Sequence, residues 1–185
     1  MLNLFKNKKY FLIISGVLFS VLLPLANLSA QPAPVTPNWD GLKFMMGDWI
    51  GGGSGNPGEG VGGYSFYPDL QNRVIVRKNY AEYPATKDKP AYRHDDLMVI
   101  YQGDDGSKRA DYYDNEGHVI HYDVEISPDT SSVVFKSGIM PSAPRFRLTY
   151  SKNSDDKVGI LFEIAPPGKP EAFAKYIEAT AHRKK

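Results

Sequence analysis

Not one of the 185 residues is cysteine, and that absence closes several routes at once. Disulfide staples, thiol catalysis, thiolate metal sites and a lipid anchor on an N-terminal cysteine are all excluded. A charge excess of either sign is also missing, with 22 basic residues against 21 acidic ones. Phosphate-backbone binding needs a clustered positive surface, so nucleic acid is not an expected partner. Helical periodicity is lacking too. Beyond residue 43, no stretch of about 11 residues places apolar side chains at i, i+3, i+4 and i+7 without a breaker. Long apolar runs are confined to the first 25 residues.

That early run has the layout of an export leader. Lys6, Lys8 and Lys9 give a basic start, Tyr10 to Leu25 is nearly all apolar, and Asn27-Leu28-Ser29-Ala30 adds small residues before Gln31-Pro32. Signal peptidase reads this order. The run of 16 residues is shorter than the roughly 20 a membrane-spanning helix needs. Residues 1–30 are therefore expected to be a signal peptide cut near Ala30. The mature chain would be periplasmic or secreted and not integral to the membrane. The three lysines leave with it and no acid does, so 19 bases would face 21 acids over 155 residues. That length suits one domain with a modest core.

Residues 31–37 form a proline-rich tether, and the barrel domain is expected to span 38–185. Asn38 is placed to cap a short helical turn over 39–43, because its side chain accepts a bond from a free backbone N–H. Short runs of β-formers then recur at 44–52, 61–67, 73–83, 96–102, 108–114, 118–126, 132–137, 145–151, 158–165 and 173–183. Tyr, Phe, Val, Ile and Thr dominate them. Separators such as Gly103-Asp104-Asp105-Gly106 and Asn115-Glu116-Gly117 are hairpin chemistry. Links this short join antiparallel neighbours. In the later runs polar and apolar residues alternate, as in Phe146, Leu148 and Tyr150 against Arg145, Arg147 and Thr149, the signature of one-sided burial. The expected fold is all-β: one closed antiparallel up-and-down barrel of about ten strands with a short N-terminal helical turn.

Ten strands can enclose a ligand-sized interior. Candidate ligand-binding residues are Arg77, Tyr80, Tyr112, Arg145, Arg147, Tyr150, Phe162 and Tyr176, which combine an apolar lining with hydroxyls and cations. Arg145 and Arg147 face inward only if Phe146, Leu148 and Tyr150 do not, and apolar residues are cheaper to bury. The eight glycines between Gly51 and Gly63 include a literal G-x-G-x-x-G. A strand rather than a helix follows, so a dinucleotide site is not expected. The segment reads instead as a link where the barrel bends sharply, or as a flap over its mouth. His118 and His121 are three apart on a strand and point to opposite faces. No metal site, cofactor or catalytic set is assigned.

Several segments carry a resemblance to an uncharacterised bacterial family of exported calycin-like barrels. They are Phe44-Met45-Met46-Gly47-Asp48-Trp49, Asp69-Leu70-Gln71-Asn72-Arg73, Tyr113-Asp114-Asn115-Glu116-Gly117, Pro144-Arg145-Phe146-Arg147-Leu148-Thr149-Tyr150 and Phe162-Glu163-Ile164-Ala165-Pro166-Pro167-Gly168. Gly47-Asp48-Trp49 resembles the G-x-W of lipocalin-like barrels. The resemblance implies structural roles for Gly47, Trp49 and Arg183, with Trp49 at the closed end and a basic residue of the last strand over its ring. Arginines of fatty-acid-binding barrels suggest a carboxylate partner for inward arginines. The first strand is also distantly similar to that of haem-binding nitrobindin barrels, which ligate iron through a late-strand histidine. Residues 173–180 hold no histidine, and His182 stands at the very end. The expected role is binding of a small hydrophobic or amphipathic molecule in the interior. The rivals are a structural or interaction module with a filled barrel and a hydrolase with its site at the mouth.

Overall fold

The computed structural model describes residues 36–53 and 60–185. The leader, its cleavage point, the tether to residue 35 and the centre of the glycine-rich link lie outside the described residues.

A 3-10 helix, Asp40–Met45, precedes ten strands: β1 (Gly47–Gly53), β2 (Val61–Asp69), β3 (Val74–Tyr83), β4 (Tyr92–Gln102), β5 (Lys108–Asp114), β6 (Val119–Ile126), β7 (Ser132–Ser137), β8 (Arg145–Ser154), β9 (Lys157–Ala165) and β10 (Ala174–Arg183). Each pairs antiparallel with its sequence neighbours, and β10 returns to β1, closing the barrel. Trp49 pairs with Arg183 and Gly53 with Ala179 across that seam. Closure leaves no unpaired edge to template aggregation.

The period-2 pattern decides which way each strand faces. Val133 and Phe135 on β7, Leu148 and Tyr150 on β8, and Val158 on β9 are buried inside, while the positions between them meet solvent or covering loops. β4 starts at Tyr92, four residues before the apolar run suggests. Its inward positions ahead of Met98 are Tyr92, His94 and Asp96, a phenol and two ionisable groups, so the alternation is invisible to a hydrophobicity reading.

The helix plugs one end. Leu42 and Met45 are fully buried there. Asn38 Oδ1 accepts the Asp40 N–H at 2.8 Å, so the asparagine satisfies one free helix-start donor although Trp39 occupies the capping position itself. Trp39 Nε1 donates to Asn72 O at 2.9 Å. That bond pins the β2–β3 turn, where Leu70, Gln71 and Asn72 all have positive φ. Gly47 also lies in the left-handed region, at φ 98°, where a side chain would be strained.

β1, β2 and β3 approach so closely that glycine is needed. A Cβ on Gly62 would lie 2.5 Å from Tyr80 O, and one on Gly63 2.7 Å from Trp49 O, both backbone atoms. Gly62→Ala is therefore expected to destabilise the protein by about 1–3 kcal/mol. Urea unfolding checks it, and an unchanged midpoint would show that these strands separate without cost.

Candidate functional site

The barrel interior has two unlike halves. Toward the helix it is packed solid: Trp49, Phe66, Ile75, Met98, Ile100, Phe135 and Tyr150 are at most 2% exposed. Tyr64, Phe66, Phe135 and Tyr150 meet edge to face at 5.5–6.1 Å. Toward the opposite end, inward residues such as Asn79, Tyr83, His94, Tyr112, Ile120, Phe146, Phe162 and Ile177 are all reached by solvent. Among the described residues these part-exposed inward side chains line an unsealed half of the interior, the basin. The β3–β4, β5–β6, β7–β8 and β9–β10 connections border it.

A buried ion pair forms the basin floor. Arg77 and Asp96 project inward from β3 and β4, with Arg77 Nη1 3.0 Å from Asp96 Oδ1 and side chains 8% and 3% exposed. Burial alone pulls the guanidinium down, but Asp96 and the surrounding phenols of Tyr150, Tyr112 and Tyr64 outweigh it and raise its pKa. Burial pushes the Asp96 carboxyl up, and Arg77, His94 and Asn79 overcome that to hold it below the usual carboxylate range. Asn79 Nδ2 donates to Asp96 Oδ2 at 2.7 Å. Arg77 Nε and the hydroxyls of Tyr64 and Tyr150 are buried without a hydrogen-bond partner, although Tyr150 lies beside the guanidinium. Burial lifts the Tyr150 phenol to about 12 and pushes Tyr112 up as well.

Above the floor sits a polar wall. His94 Nε2 lies 3.2 Å from Asp96 Oδ2 and 3.3 Å from the Tyr112 hydroxyl, and Nδ1 lies 2.8 Å from Glu116 Oε1. The bond to Asp96 is the main reason its pKa rises to about 9; burial opposes the rise and Glu116 adds to it. The Tyr92 hydroxyl donates to Glu116. Tyr112 also reaches Asp114 Oδ2 at 3.3 Å, and His118 Nδ1 is 2.8 Å from the same oxygen.

The facing wall is apolar. Phe146 and Phe162 stack with ring centres 6.0 Å apart and planes within 10°, and Tyr176 meets Phe162 edge-on at 6.0 Å. Ile120, Ile160, Ile164 and Ile177 continue the inner surface on β6, β9 and β10.

Of the residues singled out from sequence, the structure gathers Arg77, Tyr112, Tyr150 and Phe162 inside. Tyr176 sits at a β10 bulge, half exposed, against Phe162. Three candidates need correction. Tyr80 faces outward under the Arg93 guanidinium, 4.7 Å from its ring centre. Arg145 and Arg147 also face outward, because Phe146, Leu148 and Tyr150 take the inner positions. Arg147 forks onto Glu163 at 2.6 and 2.8 Å and lies 4.1 Å over the Phe173 ring. Arg145 bonds Ser137 O and Glu171. With Arg77 matched by Asp96 and with Arg145 and Arg147 outside, the three candidate arginines offer the interior no uncompensated cation for a carboxylate. Gly47, Trp49 and Arg183 meet at the closed end, where the Arg183 guanidinium lies 4.4 Å over the Trp49 ring.

Sequence reading missed Asp96, His94, Asp114, Glu116 and His118. They come together only across two strands, β4 and β5, and the turn that follows. One signal was available: the run Arg93-His94-Asp95-Asp96 directly before an apolar strand places polar residues at inward parity.

No protein-family model matches the chain, and no curated protein matches it significantly. Among solved structures, the fold is similar to that in the crystal structure of Rv2717c from M. tuberculosis. The TM-score is 0.53 at 12% identity, over 82% of this chain and 100% of that one, a likeness of fold alone.

Proposed function

We propose that the protein binds a small, partly apolar molecule in the open half of its barrel, and that it does so outside the cytoplasm. The two-sided basin carries this reading. An aromatic and aliphatic wall faces a hydroxyl, imidazole and carboxylate wall across one inner space, above a floor that is already filled. Ligand sites commonly combine a mostly apolar lining with a few fixed polar groups. Phe146 and Phe162 supply flat surface for the apolar part. Tyr112 and His94 supply hydrogen bonds for the polar end.

Charge narrows the ligand class. At neutral pH Arg77 and His94 are cationic, while Asp96, Asp114 and Glu116 are anionic, which leaves the polar wall slightly acidic. A polar end bearing hydroxyl or amine groups suits it better than a carboxylate. The export expectation rests on the leader-like order of residues 1–30.

The neutral amphipathic amine N-phenyl-1-naphthylamine is a direct probe. It should bind saturably at one site, with enhanced fluorescence. Phe162→Ser should weaken it about tenfold, the equivalent of roughly 1.4 kcal/mol, a stacking-scale loss. Enhancement that never saturates, or the same affinity in Phe162→Ser, would remove the basin as the binding site. Native mass spectrometry of protein from its own host then reads the mass of the natural occupant.

A further inference from the structure

We infer that the polar rim of the basin is a binding site for a divalent transition-metal ion, with zinc the best match, held by His94, Asp114 and Glu116. One donor atom from each of His94, Asp114 and Glu116 lies within 4.8 Å of the other two. His118 Nδ1 is 2.8 Å from Asp114 Oδ2 and 3.8 Å from Glu116 Oε2. One imidazole with two carboxylates forms a nitrogen–oxygen donor set that suits zinc with its fourth position left to water or a ligand, and His118 stands beside it on the Asp114 carboxylate. Calcium and magnesium, which take oxygen almost exclusively, suit it less.

A second feature sets this group apart from a solvated acidic patch. A metal-bound histidine usually hydrogen-bonds through its other ring nitrogen to a carboxylate that fixes its orientation. His94 has that partner. Its Nε2 meets Asp96, whose side chain is only 3% exposed and is itself held by Arg77 and Asn79. Nδ1 is thereby turned toward Glu116. Asp114 is likewise fixed, since Oδ1 accepts the backbone N–H groups of Glu116 and His118 at 3.0 and 2.8 Å and leaves Oδ2 facing the imidazoles. The turn Asn115-Glu116-Gly117, with Gly117 at φ 92°, brings Glu116 and His118 back over β4 and β5. An ion held here would stand on the wall opposite Phe146 and Phe162, so the site stands or falls separately from the apolar contacts of the basin.

The test uses the full chain after dialysis against EDTA. Calorimetric titration with Zn²⁺ should show one saturable site, and Co²⁺ should give visible d–d bands of a low-coordinate nitrogen–oxygen site. Glu116→Gln, on an exposed turn where folding is not at risk, and His94→Gln should each weaken Zn²⁺ by at least the roughly 10–100-fold that loss of an outer-shell partner costs. His121→Gln, whose imidazole pairs with Asp111 on the outer face, should leave affinity unchanged, and so should Phe162→Ser. No saturable Zn²⁺ binding overturns the inference. So does binding that survives Glu116→Gln and His94→Gln but falls in His121→Gln.

Discussion

Asp96→Ala should lower the unfolding free energy by about 3–5 kcal/mol, the range for removing one partner of a buried ion pair. Arg77 is 7% exposed and cannot turn to water from inside the barrel. Without Asp96 its charge stands among phenols and aliphatic side chains with nothing to balance it. Asn79 and His94 lose their acceptor in the same step. Replacing both charges is expected to recover stability. Arg77→Met with Asp96→Leu should unfold at higher urea than Asp96→Ala alone, since a matched apolar pair avoids the desolvation cost of either ion. Recovery should be partial, because Asn79 and His94 remain unmatched. Urea melts of the three proteins decide it. A loss under about 1 kcal/mol for the single variant would mean that water reaches the guanidinium, and the basin floor would not be sealed as described.

Where apolar side chains fill the interior, the sequence is easy to read. On β7, β8 and β9 the inward positions are Val133, Phe135, Leu148, Tyr150, Val158 and Ile160, and simple alternation gives both the strand and its face. Hairpin turns are equally legible, because Asp-Gly and Asn-Glu-Gly have few other uses. Legibility fails where inward positions turn polar. His94 falls outside the run read from hydrophobicity, which begins only at Asp96, yet both residues lie within β4 and hold up the polar wall. Their partners cannot be found locally either, since Glu116 lies 22 residues from His94 and Tyr112 lies 18 away. Arg145 and Arg147 fail in the opposite sense: the sequence offers cations near a cavity, and parity sends them outside to Glu163 and Glu171. The places where local reasoning breaks down are thus the places where the interior stops being a core and becomes a site.

Trp49→Ala should cost about 3–5 kcal/mol, the usual range for deleting a large buried aromatic side chain. The indole is 2% exposed and stacks near Tyr64 at 6.1 Å. Its Nε1 donates to Met45 O at 2.7 Å, tying the helix to β1. Arg183 covers the other face, and its Nη1 donates to Met46 O at 2.8 Å. Helix, first strand and last strand therefore meet on one ring. Arg183→Ala should cost roughly 1 kcal/mol, since an exposed cation–π contact contributes about 0.5–1 kcal/mol. Together with Trp49→Ala it should cost less than the sum of the two, because the cation has no ring left to cover. Urea unfolding of the four proteins gives that coupling directly, and strict additivity would mean that the guanidinium and the indole act independently. The basin lies at the other end of the barrel. Trp49→Phe, folded at low temperature, should consequently bind N-phenyl-1-naphthylamine with wild-type affinity despite its lower melting point, and a parallel loss of affinity would show that the plug and the mouth are mechanically one unit.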